Sequence, residues 1–387
     1  MTKQLQYIST QLTFLKKKYS KGNVFFEIPL KWEGLESHED EIMSVNPIDY
    51  FHGKINEILN FTQNNTQNNL TYRLSISKNL AFEHNLNTKI KNFPENYFQN
   101  GGNFLKAISI LPKIKSLEFD TIELQSVFSS TDLYEIDDNL SEDALEMSKE
   151  DQFSAFLEAC HLLNIKINLE FDLAKCSINP DLALTNPEFF YWIKSTSRIR
   201  SEKYPGGYGK PQFSNNKIKK INEKIDSEDY NNLPTPDEKY RSFFTQTPVK
   251  VARVEDKIIG LLQNIKKPLK TNECVIAPAF STFPIMSENI FLDNSSYFKF
   301  YNHPDFNYIA YNTINFPDSW FARDENINRK LWEYIEGIIP EFLSKFNIDG
   351  IILNSSELLP RKIKNKIVSQ ITEFNEINNK KINVYEE

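Results

Sequence analysis

Three short apolar stretches of this chain end in side chains that could do chemistry. IKINLEFD (165–172) ends in Asp172, and INVYEE (382–387) ends in Glu386 and Glu387. FNIDGIILNSSELLP (346–360) runs from Asp349 through Ile351, Ile352 and Leu353 to Asn354. Carboxyl groups at strand ends suit nucleophilic and general acid–base catalysis, because one can attack or take a proton while another donates one. Asn354 breaks that scheme, since an amide is a poor nucleophile and carries no charge. Its nearest acidic neighbours are Glu357, three residues beyond it, and Asp349, which precedes the strand and stands about 15 Å back at the usual rise. A buried aspartate that closes a parallel strand needs hydrogen-bond partners, so Asp172 is expected to serve a pocket.

Other chemistries find little support. Cys160, Cys176 and Cys274 are scattered, with no CxxC or Cys/His spacing, so neither a disulfide framework nor a zinc site is expected. His38, His52, His84 and His303 are isolated, and His161 is expected to pack in the core. Gly206-Gly207-Tyr208-Gly209 lacks the preceding strand and following Lys-Ser/Thr of a phosphate cradle. No acidic calcium loop stands out, and no cofactor is expected. A net charge of −7 argues against nucleic acid as a partner, and the run Lys217-Ile218-Lys219-Lys220 reads as solvated surface. With neither a membrane-spanning apolar run nor a signal peptide, the expectation is a soluble, cytoplasmic protein with no membrane partner.

The elements that position these groups follow a rhythm. At 40% hydrophobic residues, 387 residues can bury a sizeable core. VFFEIPLKW (24–32) reads as a strand and NFTQNNTQNNLT (60–71) as a polar loop. From residue 100 the pattern alternates. Phe104, Ala107, Ile108, Leu111 and Ile114 fall near 3.6 spacing, then Thr121–Leu124 is a short apolar strand. Phe153, Phe156, Leu157, Cys160 and Leu163 mark a second helix before strand 165–172. Leu331, Ile335, Ile338, Phe342 and Phe346 mark a third before the strand that ends at Asn354, and a fourth (361–374) leads to INVYEE. Helices alternating with short apolar strands predict a parallel sheet, either doubly wound or part of a (β/α)8 barrel. About 150 residues after strand 165–172 interrupt the rhythm, with one further apolar segment, CVIAPAF (274–280). The expected organisation is an N-terminal mixed subdomain (1–90), the first part of a barrel (91–175), an insertion (176–320) and two further strands with their helices (321–387).

The order of these pieces resembles the α-amylase superfamily, glycoside hydrolase family 13. FLKAISILPKIKSLEFDTIELQSVF, TDLYEIDDN (131–139), CHLLNIKINLEFD (160–172) and NPEFFYWI (186–193) follow the succession of that barrel's early motifs. Residues 346–360 match its fourth strand and INVYEE its fifth. The Cys176-Ser177 pair and Tyr311-Asn312-Thr313-Ile314-Asn315-Phe316 are similar to segments of maltose-1-phosphate maltosyltransferases. The resemblance covers roughly half the chain. It implies an incomplete or atypical TIM-like barrel, with a long insertion after the third strand and an α-glucan or maltooligosaccharide as partner.

Retaining cleavage of an α-glycosidic bond takes two carboxyl groups, one attacking the anomeric carbon and one protonating the leaving oxygen. In this family the nucleophile is an Asp ending the fourth strand in an F-R-x-D pattern; here that position is Asn354 and the Arg position is Ile352. Losing a central catalytic group costs about 10⁴ or more in rate. The resemblance places the general acid at Glu386, with Glu387 as the rival register. It gives Asp172 and Tyr134 sugar-contacting roles, and Ser177 stands where many relatives have a histidine. No counterpart of strands six to eight is present. The N-terminal 90 residues or the insertion could supply them, another chain could complete the barrel, or the sequence is part of a longer one. Three readings stay open: a non-catalytic α-glucan-binding or scaffold protein, a working glycosidase or glycosyltransferase with a displaced nucleophile, and an interaction protein without a sugar pocket.

Overall fold

The computed structural model describes residues 2–20, 24–33, 41–62, 68–81, 87–88, 93–131, 133–195, 214–227, 229, 238–263, 272–280, 294–302 and 324–387. Helix α1 (Lys3–Lys18) buries Leu5, Ile8, Leu12 and Leu15, one stripe at helical spacing. Helix α2 (Pro47–Leu59) starts where the Asn46 side chain accepts from the Ile48 and Asp49 amides. Strand β1 (Thr71–Ser75) leads to α3 (Phe104–Ser116), capped by Asn103, and then to β2 (Thr121–Gln125). Helix α4 (Lys149–Leu162), capped by Ser148, precedes β3 (Lys166–Asp172). After the insertion come α5 (Arg329–Lys345), β4 (Gly350–Asn354), α6 (Arg361–Asn378) and β5 (Asn383–Glu386). Residues 1–90, read from sequence as a separate mixed segment, thus supply the first strand of the sheet.

The five strands lie side by side in chain order, and every neighbouring pair is parallel. A doubly wound sheet reverses its strand order at a switch point, whereas a (β/α) barrel winds in one direction. This sheet follows the second pattern. Among the described residues it stays open, with β1 and β5 as its edges. It is nevertheless strongly curled. Arg73 on β1 forms an ion pair with Glu387, just past β5. In a flat sheet four strand spacings of about 4.8 Å would separate those strands by about 19 Å, more than the two side chains can bridge.

Period-two alternation divides the strands into two faces. Leu74, Ile122, Leu124, Ile167, Leu169, Phe171, Ile351 and Leu353 are fully buried on the convex side, toward the helices. There Phe171 packs edge-on against Phe342 of α5, and Phe153 of α4 closes on the same ring. The concave face is polar, carrying Arg73, Glu123, Asn168, Glu170, Asp172 and Asn354, with Ile352 among them. β4 looked apolar throughout because Ile352 takes a concave position.

Three smaller units surround this sheet. Ile42–Val45, Val24–Pro29 and Asn87–Thr88 form an antiparallel sheet near the N-terminus. The insertion holds a five-stranded antiparallel sheet of Lys250–Val254, Lys257–Leu261, Glu273–Ile276, Trp192–Lys194 and Phe244–Thr245. It also pairs Lys175–Ser177 with Ser295–Tyr297. The basic run 217–220 lies on the helix Asn215–Asp226. Among the described residues no helix is long and apolar enough to cross a membrane. The segments 206–209 and 311–316 lie outside the described residues.

The Gly pair before α3 has an asymmetric role. A Cβ on Gly102 would fall 1.9 Å from the Ile76 carbonyl oxygen, in the turn that ends β1, whereas one on Gly101 meets nothing within 4 Å. Gly102→Ala is expected to cost about 2 kcal/mol or more by forcing backbone apart. Gly101→Ala should be close to neutral. Denaturant midpoints of the two variants check this, and equal midpoints would show that the close approach is unimportant.

Candidate functional site

In parallel α/β sheets functional groups collect beyond the C-terminal strand ends. Here that end brings Asp172 and Asn354 together, because they are register partners on β3 and β4. Asn354 does not stand alone. Its Nδ2 donates to Glu170 Oε1 at 2.6 Å. Glu170 lies two residues before Asp172, so alternation places both on the concave face. The second oxygen of Glu170, Oε2, has no hydrogen-bond partner among the described residues.

Asp172 is heavily committed. One carboxyl oxygen accepts from the Ala174 and Lys175 amides at 3.1 and 3.0 Å, and the other lies 3.6 Å from Lys175 Nζ. Burial raises its pKa, while Lys175 and the two amides pull it back. Ser355, held at φ 55° where the chain leaves β4, places its Oγ 3.4 Å from Asp172 Oδ2 and 3.5 Å from Asn354 Oδ1. This left-handed turn carries the chain off the strand end into the short turn Ser356–Leu358.

The end of β5 presents its two glutamates to opposite sides. Glu386 is the register partner of Leu353, which faces the helices. Its carboxylate accordingly bonds to Lys364 of α6 at 2.8 Å and to Ser356 Oγ at 3.3 Å. The concave-facing carboxylate is Glu387, paired with Arg73, which also holds Glu123 at 2.8 Å. Those two carboxylates raise the Arg73 pKa further, Glu123 acting most strongly.

The remaining residues singled out from sequence lie elsewhere. Tyr134, at φ 62°, donates its hydroxyl to the Asp172 backbone carbonyl at 2.7 Å. Its ring lines a cavity of about 540 Å³ on the helix side, with Tyr334, Phe342, Phe346 and Glu135. Neither Asp172 nor Asn354 lines that cavity, and Tyr134 meets the site through the Asp172 backbone carbonyl. Ser177 donates to the Ser130 carbonyl and pairs with Ser295 in the two-stranded ladder. Glu357 is exposed on the turn after β4. Asp349 sits at the opposite end of the sheet, accepting from the Ile167 amide at 2.8 Å and pairing with His161 at 2.9 Å. His161, expected in the core, is thus a partly exposed partner of the loop that enters β4.

Cys160, Cys176 and Cys274 are buried free thiols, each pushed up in pKa chiefly by burial, a poor setting for a nucleophile. Among the described residues no group of three or more His, Cys, Asp or Glu side chains could hold a metal ion.

The chain is therefore an α/β protein with a singly wound parallel sheet, whose polar concave face ends in an amide–carboxylate pair and an ion-paired rim. No protein-family profile and no curated protein sequence matches it. Among solved structures it is similar to the maltogenic amylase from S. marinus, at 12% identity and a TM-score of 0.38, covering 91% of this chain and 40% of that one. It is similar to the α-amylase from Geobacillus thermoleovorans complexed with acarbose, at 12% identity and a TM-score of 0.36, covering 79% and 44%. A third is the Nostoc punctiforme debranching enzyme, at 13% and 0.37, covering 83% and 49%. The chain spans less than half the length of each. At these values the likeness carries no functional inference.

Proposed function

We propose that the chain is a carbohydrate-binding protein of the α-amylase type, holding an α-glucan or maltooligosaccharide at the C-terminal strand ends without cleaving it. The observation that carries this reading is the Asn354–Glu170 pair. The position from which a nucleophile would attack holds an amide, and that amide donates to the neighbouring carboxylate. The other carboxylates of the strand ends are also engaged: Asp172 by two amides and Lys175, Glu386 by Lys364, and Glu123 and Glu387 by Arg73. Displaced-nucleophile chemistry gains nothing from the placement of the other acids, since Asp349 lies at the far end of the sheet and Glu357 projects from an exposed turn. A face of amide, carboxylate and guanidinium groups is suited to hydrogen-bonding sugar hydroxyls.

Calorimetric titration with maltooligosaccharides tests the reading. Binding is expected for the intact chain, and Asn354→Ala and Glu170→Ala should each weaken it by about tenfold, equivalent to about 1.4 kcal/mol. Binding unchanged in both variants would place the sugar elsewhere, and no binding at all would remove the proposal.

A further inference from the structure

We infer that Glu170 sets the specificity of this site, selecting uncharged sugars and rejecting sugar phosphates; the inference rests on the binding role proposed above. The concave face carries four carboxylates, on Glu123, Glu170, Asp172 and Glu387, against three cations, Arg73, Lys175 and Lys166, the last exposed at the opposite end of β3 from Asp172. The two cations nearer the C-terminal strand ends are already engaged. Arg73 bridges Glu123 and Glu387, and Lys175 faces Asp172 at 3.6 Å. Lys364 is held by Glu386 on the helix side. Among the described residues no cation near the C-terminal strand ends of this face is left over for a phosphate; Lys166 stands four residues before Glu170, about 13 Å away along β3.

Glu170 is the exception among the carboxylates. Among the described residues its only partner is a neutral amide, and its register partner on β4 is the apolar Ile352. Its free oxygen therefore adds uncompensated negative charge to the centre of the face. A sugar hydroxyl can donate to that oxygen and gain a charge-assisted hydrogen bond. A phosphate brings only acceptors and a charge of the same sign, a mismatch that discriminates strongly between ligands. This differs from what the maltosyltransferase-like segments suggested, since such a protein must accept a sugar phosphate.

Maltose and maltose 1-phosphate form a matched pair for the test, titrated calorimetrically against the full chain and against Glu170→Gln at low and high salt. Glutamine keeps the shape and can still accept from Asn354, and circular dichroism verifies its fold. The expected result is binding of maltose at least about tenfold tighter than of maltose 1-phosphate, a gap of at least about 1.4 kcal/mol. The gap should narrow in Glu170→Gln and at high salt. Equal or tighter binding of maltose 1-phosphate, or a gap that Glu170→Gln leaves unchanged, would overturn the inference while the sugar-binding role survives. Failure of both sugars to bind would overturn the role itself, and the inference with it.

Discussion

Asn354→Asp, the change that puts a carboxyl group back at the end of β4, is expected to destabilise the protein by about 2–4 kcal/mol at pH 7 and to confer no turnover. The cause is the 2.6 Å contact with Glu170. Two carboxylates at that separation cannot both ionise, so the folded pair retains one proton that the unfolded chain has lost. The folded state then binds more protons than the unfolded state above about pH 4. Stability must therefore fall as pH rises, by about 1.4 kcal/mol per unit until the shared proton leaves or the pair separates. Near pH 4 the variant should approach the unmodified chain. Adding Glu170→Gln reverses the donor and acceptor of the hydrogen bond and should recover most of the loss. Chemical denaturation of both variants between about pH 4 and 8 measures this. A pH-independent loss, or no recovery in the double variant, would contradict the assignment of the pair.

The second large effect is expected at Glu142, which lies on the convex side, away from the site. Its carboxylate accepts from the Phe98 and Ala144 amides at 2.9 and 3.2 Å and from Asn103 Nδ2 at 2.9 Å. Lys106 lies nearby, 1% exposed, donating to the Gly101 carbonyl at 2.6 Å. Burial pulls the Lys106 pKa down to about 8, with Glu142 opposing the shift, and burial pushes the Glu142 carboxyl up. Glu142→Ala would strand three donors and a buried ammonium, a loss of about 3–5 kcal/mol. Without Glu142 the folded Lys106 binds its proton more weakly, so the variant gains on the unmodified chain as pH rises up to about 8, and the difference is constant above that. Unfolding curves at pH 7 and 9 check both parts. A loss under 1 kcal/mol, or one that grows with pH, would show that the cluster is not coupled as described.

Much of the sheet was legible in the sequence because convex-face residues and helix stripes repeat strictly. The apolar strands ending at Asp172 and Asn354, and the helices marked by Phe153 and Leu331, appear within a few residues of their expected bounds. β1 was not legible. TYRLS is short, follows a polar run, and exposes Thr71 and Arg73. The site was half legible. Strand ends drew attention to Asp172 and Asn354, but Glu170 needed one further step, reading two residues back along the same face. Arg73 and Glu387 are 314 residues apart and meet only because the sheet curls, which no local pattern encodes. The choice between Glu386 and Glu387 depends on one residue of register, and register belongs to the pairing of β5 with β4.

The central claim is that sugar is bound here and not cleaved. Product analysis tests it most directly: purified protein incubated with maltooligosaccharides at concentrations that would reveal a rate about 10⁵ below an ordinary glycosidase. The expected result is chains of unchanged length, from a protein that binds them in parallel titrations. Chains that shorten or lengthen, with the activity lost in Glu170→Gln or Glu387→Gln, would contradict it and make those carboxylates the catalytic pair.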